Sequence, residues 1–352
     1  MATLGSGQIQ AVGSYLGVGR ETTWGTYATC TAGLDFFTFS LTKKKEGKIL
    51  EEMVRNSSRT YMSRIQTSVM VDGEVGFYVR PQQEASNYLI QQAFGGTVSN
   101  ATVSAGASYI HTLSIGDMVN NTNSASTAYQ GLSLNARKGS SVDGKIFEYH
   151  GVRVNELTFS AEIDEALKAS CAVMAKDSTT LSNDVATGLT YSDGGPLTFC
   201  NAVVAVELTT TSLGTTNFWH VQSAEFGIVN NLKADADSRR LGSCVLDVLP
   251  PGVANYKLTL NMRFDTITAY NYLMDATKLS AQLYFEGVTL PSSTLKEYIQ
   301  FNFPAIYVNS GAEPEIGGPD EILKSALEFH ILCDSATGYA LQATMQNGTA
   351  TY

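Results

Sequence analysis

Apolar and polar residues alternate one by one along much of this chain, and a run with that period buries a whole face only as a β-strand. From Leu258 to Phe264, the residues Leu258, Leu260, Met262 and Phe264 fall on one side, and Lys257, Thr259, Asn261 and Arg263 on the other. Val75, Phe77 and Val79 stand in the same way against Glu74, Tyr78 and Arg80. The pattern predicts further strands at Leu157–Ile163, Ala169–Met174, Phe226–Ile228, Tyr298–Phe303, Ala326–Cys333 and Ala340–Met345. Helical signals are few. One segment begins after Pro81, a residue suited to a first turn, and stops before Gly95 and Gly96; a second covers Ile267–Lys278. The expected fold is mainly β, a sandwich or barrel with short flanking helices. With 352 residues, the chain can bury a substantial core without disulfide or metal staples.

The two predicted helices mark out similar stretches of sequence. Asn87-Tyr88-Leu89 in the first has a counterpart in Asn271-Tyr272-Leu273 in the second. Each tripeptide follows an alternating strand, and each of those strands follows a long polar connection, about Lys43–Arg64 and Asn230–Asn255. A further pair of strands comes after each helix. This order predicts a duplicated unit. The first domain covers residues 1–180 with its 43–64 connection, and the second covers 196–352 with its 230–255 connection. The Ser-, Thr-, Asp- and Gly-rich stretch 178–195 reads as the connector. Both connections far exceed the ~2–5 residues of a hairpin loop, a length that usually signals function or disorder. The first carries Lys43, Lys44, Lys45, Lys48, Glu51, Glu52, Arg55 and Arg59 around the apolar Ile49, Leu50, Met53, Val54, Tyr61 and Met62. So many apolar groups are costly to leave in water, which predicts an arm that docks on a neighbouring subunit. Lys233, Asp237, Arg239 and Arg240 in the second connection are the expected counterparts.

Charge narrows the chemistry. The 23 basic and 33 acidic side chains leave a net charge of −10, unsuited to a protein that holds nucleic acid by neutralising phosphates. Residues 1–176 carry 15 of each sign, whereas residues 177–352 carry 8 basic and 18 acidic groups. Five scattered cysteines without a C-x-x-C pair predict neither a disulfide framework nor a zinc site. Gly139 to Lys145 matches the phosphate-binding G-x-x-x-x-G-K spacing, but Ile146 replaces the Mg²⁺-binding Ser or Thr, and the residues beyond favour a strand over a helix. Asp235 and Asp237 lack further ligands at calcium-loop spacing. His330 with Glu328, and His150 with Glu148, are where a β-sandwich hydrolase could assemble acid/base chemistry, yet no G-x-S-x-G accompanies them. No catalytic, metal or cofactor site is predicted. No apolar run approaches the ~20 residues of a membrane span, and no leader pattern opens the chain, so the expectation is use in the cytosol or in a particle assembled there.

The run Gly17-Val18-Gly19-Arg20-Glu21-Thr22-Thr23-Trp24-Gly25-Thr26 resembles the N-terminal signature of tail tube (major tail) proteins of long-tailed bacteriophages, in which a G-x-x-x-E-x-x-x-G-T run opens the chain. The likeness continues through Tyr149–Glu162, Ile299–Pro304 and Leu341–Asn347, so it spans nearly the whole sequence. It implies a structural subunit without cofactor or catalytic residues, with a fold also similar to the type VI secretion tube. Family sheets join those of neighbours into a ring around an inner β-barrel, and rings stack into a tube. With a duplicated unit, the implied ring is a homotrimer of pseudo-sixfold symmetry, alternating neutral and acidic halves around the bore. Implied partners are other copies of the chain, the tape measure protein and DNA transiently in the lumen, and the tail terminator and tip proteins, with no membrane. The implied location is the virion tail, assembled in the host bacterial cytoplasm. Charged members of the polar strand faces, Glu74, Arg80, Glu156, Glu225, Lys257, Arg263 and Glu328, become candidates for the lumen. A capsid-decoration or adhesin-type virion protein is the alternative within the structural class.

Overall fold

The alternating runs form antiparallel ladders. A computed structural model describes residues 13–50, 63–104, 107–118, 121–122, 128–139, 144–181, 188–192, 194–208, 219–265, 267–291, 293–314, 316 and 322–350. Strands β1 (Tyr15–Glu21), β2 (Ala32–Gly33), β3 (Phe36–Phe39), β4 (Thr42–Leu50) and β5 (Ser63–Tyr78) lead to helix α1 (Glu84–Phe94). Next come β6 (Gly95–Ser104), β7 (Ser108–Ile115), the short β8 (Asn121–Thr122) and β9 (Ala128–Tyr129), and β10 (Gly131–Lys138). Then follow β11 (Lys145–Glu162), β12 (Lys168–Ala175), β13 (Asp177–Leu181) and β14 (Ala202–Glu207). The rest comprises β15 (Val221–Val229), β16 (Asn255–Arg263), helix α2 (Thr268–Met274), β17 (Leu279–Thr289), β18 (Lys296–Ser310), β19 (Lys324–Ile331) and β20 (Gln342–Asn347).

Eight strands lie side by side in the order β3, β5, β12, β11, β15, β16, β19, β18, every neighbour antiparallel. A second sheet runs β14, β17, β18, β20, β7, β6. A third runs β2, β1, β10, β11, β13. Two long strands serve two sheets each. The first part of β11 pairs with β10 and β13, and its second part with β12 and β15. Likewise the first part of β18 pairs with β17 and β20, and its last residues with β19. The change of sheet in β11 falls beside Gly151, whose φ of 65° suits glycine, and a Cβ there would sit 2.7 Å from the Lys176 side chain.

These pairings recur along the chain. The ladder β1 to β10 is matched by β14 to β17, β10 to β11 by β17 to β18, and β11 to β12 by β18 to β19. In the same way β11 to β13 is matched by β18 to β20, and β5 to β12 by β16 to β19. α1 packs against β11, and α2 against β18.

The core lies where the inner faces of the first two sheets meet. Phe159 and Phe226 from the first pack on Phe301 and Phe285 from the second, with ring centroids 4.7 Å apart for Phe159 to Phe301 and for Phe226 to Phe301. All four rings are buried. Each such residue stabilises by several kcal/mol, since truncating a buried Phe costs about 3–5 kcal/mol. The core is continuous through both halves, and the seven-residue ladder between β11 and β15 ties them into one sheet.

Both helices form where the sequence places them. α1 is buried on nearly every side, with Ser86, Asn87, Gln91 and Gln92 covered as well as Ala85, Leu89, Ile90, Ala93 and Phe94, and it stops at Gly95, whose left-handed φ of 68° lets its N–H cap the Gln91 carbonyl. α2 ends at Met274, short of Lys278, because Ala276 turns left-handed (φ 46°) and the Thr277 N–H reaches back to the Tyr272 carbonyl. The shared Asn-Tyr-Leu tripeptide falls on both helices in different settings: Asn87 is buried and donates to the Pro81 carbonyl at 2.8 Å, whereas Asn271 is exposed. Two expected loops turn out to be built differently. Within 43–64, the described residues form a ribbon of β4 against β5, and the 178–195 stretch begins as strand β13.

Candidate assembly surfaces

On the eight-strand sheet, the face away from the aromatic core is polar. Register sets Glu74 across from Ala172, and Ala172 across from Glu156. Two rows further along, Tyr78, Lys168, Ser160, Glu225, Thr259 and Glu328 cross five strand pairs in line. Side-chain bonds knit this face: Lys257 Nζ meets Glu156 Oε1 at 2.5 Å, Ser170 donates to Glu74 at 2.6 Å, and Ser310 donates to Glu328 at 2.8 Å. Six of the seven sequence-predicted lumen residues, Glu74, Glu156, Glu225, Lys257, Arg263 and Glu328, thus share one surface. Arg80 does not. The chain leaves the sheet after Tyr78, and the Arg80 guanidinium turns to Asp35 and the Gly194 carbonyl, each at 3.3 Å. His330 and Glu328 stand exposed on the same outer face of β19.

The ribbon is the second surface. Every residue of β4 from Thr42 to Ile49 is exposed except for its contacts with β5, and β5 is exposed from Arg64 to Thr67. Lys43 bonds Asp177 and the Ser178 carbonyl, Lys44 meets Asp72 at 2.6 Å, and Ser68 donates to Glu46 at 2.6 Å. Lys45 and Lys48 project from the same strand. Glu51, Glu52, Arg55 and Arg59 lie outside the described residues.

Residues 230–254, between β15 and β16, are compact instead of extended. Leu232, Leu246 and Leu249 bury themselves with Met118 against Trp24 and Met174. Lys233 and Asp237 are exposed, Arg239 is half-buried, and Arg240 pairs with Asp247 at 3.3 Å. Asp235 caps its own short turn by accepting from the Asp237 N–H, which is a loop's use of a carboxylate.

The third feature is one that pattern reading quotes as a signature without a role. Glu21 is fully buried at the end of β1 and accepts from Ser133 Oγ (2.7 Å), Gly151 N–H (2.8 Å) and Gly25 N–H (2.7 Å). Burial pushes its carboxyl above the usual carboxylate range against those three bonds. Trp24 Nε1 donates to the Gly151 carbonyl at 3.0 Å. Arg153, 5% exposed, stacks by Trp24 and donates to the carbonyls of Gln130 (3.0 Å) and Leu249 (2.5 Å). Burial lowers its guanidinium to about 10. Arg20, next to Glu21, is sandwiched between the rings of Tyr88 and Tyr129. Of these partners only Gly25 lies within the same run, four residues after Glu21; the others are distant in sequence, so spacing alone does not show them.

Among the described residues, no cluster of three or more His, Cys, Asp or Glu side chains could hold a metal, and no helix is long and apolar enough to cross a membrane. Cys30 and Cys171 are buried thiols whose pKa values burial raises, Cys30 to about 12. What the chain presents is surface: a broad polar sheet face, a projecting ribbon and a tightly anchored loop. Those are the parts of a structural subunit. A model of the phage tail tube protein family matches residues 12–331, and the chain belongs to that family, a structural and non-enzymatic component of the virion tail. A comparison with curated proteins gave no match.

Proposed function

We propose that three copies of this chain close into a ring of pseudo-sixfold symmetry, that rings stack into the tail tube, and that the polar face of the eight-strand sheet lines the channel through which DNA leaves the capsid. The observation that carries this reading is the recurrence of the pairing scheme. Five ladders of residues 15–181 have counterparts in residues 202–347, which supports one tube unit used twice. Each unit then supplies four strands to the polar-faced sheet: β3, β5, β12 and β11 from the first, and β15, β16, β19 and β18 from the second.

Strand number decides what such a barrel encloses. Eight strands leave room only for side chains, whereas barrels of 16–18 strands already hold water-filled channels. Three chains would contribute twenty-four strands, which at a spacing of about 4.8 Å and a tilt of about 35–45° close at roughly 45–50 Å between backbones. An even number of antiparallel strands per chain also means that β18 of one copy would meet β3 of the next in antiparallel sense, as β11 meets β15 within the chain. Closure of that kind removes sheet edges that would otherwise pair without limit.

The face suits a conduit. Carboxylates of Glu74, Glu156, Glu162, Glu225 and Glu328 interrupt the cations Lys168, Lys257, Arg263 and Lys324, so no continuous basic track holds phosphates. The acidic excess of residues 177–352 does not come from this face. Its second-half members are Glu225 and Glu328 beside Lys257, Arg263 and Lys324, so acidic and neutral halves do not alternate there. The ribbon is the part that reaches the next ring. Tape measure, terminator and tip proteins would meet the lumen and the two tube ends, after assembly in the host cytoplasm.

Negative-stain microscopy of the purified protein tests the reading, with native mass measurement of single rings. Hollow filaments and rings of three chains are the expected result. A monomer that persists at high concentration overturns the tube, and six chains per ring overturn the pseudo-sixfold arrangement.

A further inference from the structure

A two-stranded ribbon standing away from its sheet is marginal in water and has no direction of its own. Here its support is visible. Along β5, residues Arg64 to Thr67 are exposed, but Ser68 and Val69 are only 4% exposed. At this point the Val69 N–H donates to the Cys244 carbonyl at 2.8 Å, a bond from the first half of the chain to the tip region of loop 230–254.

The loop can bear on the ribbon because it is fixed at its other end. Asn230 donates to the carbonyls of Ala93 (2.9 Å) and Val154 (3.0 Å), and the Leu232 N–H donates to Asn155 Oδ1 at 2.8 Å. Leu246 and Leu249, each 1% exposed, pack under it with Met118. Arg153 grips the Leu249 carbonyl, and Arg153 in turn is placed by Trp24 and the Glu21 cluster. A set of contacts therefore runs from the Glu21 signature through Arg153 to Leu249, which shares a buried cluster with Leu246, two residues beyond Cys244 and its bond to Val69. Each of these fixed points belongs to the first half.

We infer that loop 230–254 is a buttress that sets the direction of the ribbon, and that Leu246 and Arg153 are positioning residues for ribbon docking. Only the docking consequence rests on the tube reading above; the bracing stands on contacts within one chain. The loop is then not a second arm.

Hydrogen exchange on the unassembled protein tests the inference, with filament length measured in parallel. Leu246→Ala removes packing beneath the loop and should speed exchange across Ser63–Met70 about tenfold or more, while amides of β12 and β16 keep their protection. Val69→Pro removes the single N–H that the loop accepts and should release the ribbon to a similar degree, leaving the loop's own amides protected. Both variants should give shorter filaments than the parent. Unchanged ribbon exchange in both overturns the buttress, as does equal acceleration at every amide, which would make Leu246 a residue of general stability. If the parent chain forms no filaments, the tube reading fails, and the exchange data still decide the bracing.

Discussion

The ribbon and loop 230–254 occupy the same place in the two pairing schemes, each joining the first two strands that its half gives to the eight-strand sheet, and they are built on opposite principles. The ribbon keeps a main-chain ladder, Thr42 to Leu50 against Ser63 to Asp72, and buries side chains only at its base, where Ser68, Val69 and Val71 lie. The loop has no ladder but owns a small core and a set of buried anchors. A ladder without a core can project, because its hydrogen bonds are satisfied wherever it points. A core without a ladder has to stay where its apolar residues are covered. The difference fits the proposed division, reach for one region and support for the other.

The largest expected effect comes from removing the reaching part. Deletion of Lys44–Ser63 should leave the aromatic core folded and abolish stacking, giving isolated rings or single chains in the microscope. Filaments of normal length from that deletion would mean that the ribbon does not dock. Next in size is a matched pair of truncations. Leu249→Ala in the loop should cost about 2–4 kcal/mol in denaturant unfolding, because Leu249 is 1% exposed, whereas Ile65→Ala on the ribbon, 46% exposed, should cost less than about 0.5 kcal/mol. Equal costs would erase the contrast between the two regions.

A smaller effect separates the loop's anchor from the ribbon by pH. The buried Glu21 carboxyl holds its proton more tightly in the folded chain than at its ordinary value of 4.5. Its contribution to stability is therefore greatest below pH 4.5 and is lost as pH rises through the raised folded value. Glu21→Gln should flatten that slope. It should also cost about 1–3 kcal/mol, since an amide offers one acceptor oxygen where three donors now converge on two. Urea midpoints of the two proteins between pH 4 and 7 check both statements, and parallel slopes would remove Glu21 as the source.

Much of this molecule could be read from residue order. Val75, Phe77, Leu258 and Leu260 are buried as their alternation requires, and the helix after Pro81 stops at Gly95 as its composition requires. Of the polar sheet face, six of seven residues fall together, because period two holds wherever one face is covered. The ribbon escaped notice for the same reason in reverse. With neither face buried, Lys43, Lys44 and Lys45 show no alternation to detect. The loop's core escaped because Leu232, Leu246 and Leu249 follow no period and meet Met118 from another part of the chain. Arg80 was misplaced by extending the period of β5 two residues past its end.

The smallest effects carry the sharpest test of the contrast. Each region carries an exposed ion pair, Lys44 with Asp72 at 2.6 Å on the ribbon and Arg240 with Asp247 at 3.3 Å on the loop. Both cations are more than half exposed, so each pair contributes about 0–1 kcal/mol within the chain, and either alanine substitution should leave the unfolding midpoint nearly unchanged. Between subunits the two should differ. Lys44 lies on the strand proposed to reach the neighbouring ring, and Lys44→Ala should raise the protein concentration needed for filament growth, most clearly at low salt where unscreened charge acts furthest. Arg240 lies on the part that braces the ribbon from within, so Arg240→Ala should leave that concentration where it is. Equal losses from both variants would show that the loop also touches the neighbour, and the division between reach and support would have to be withdrawn.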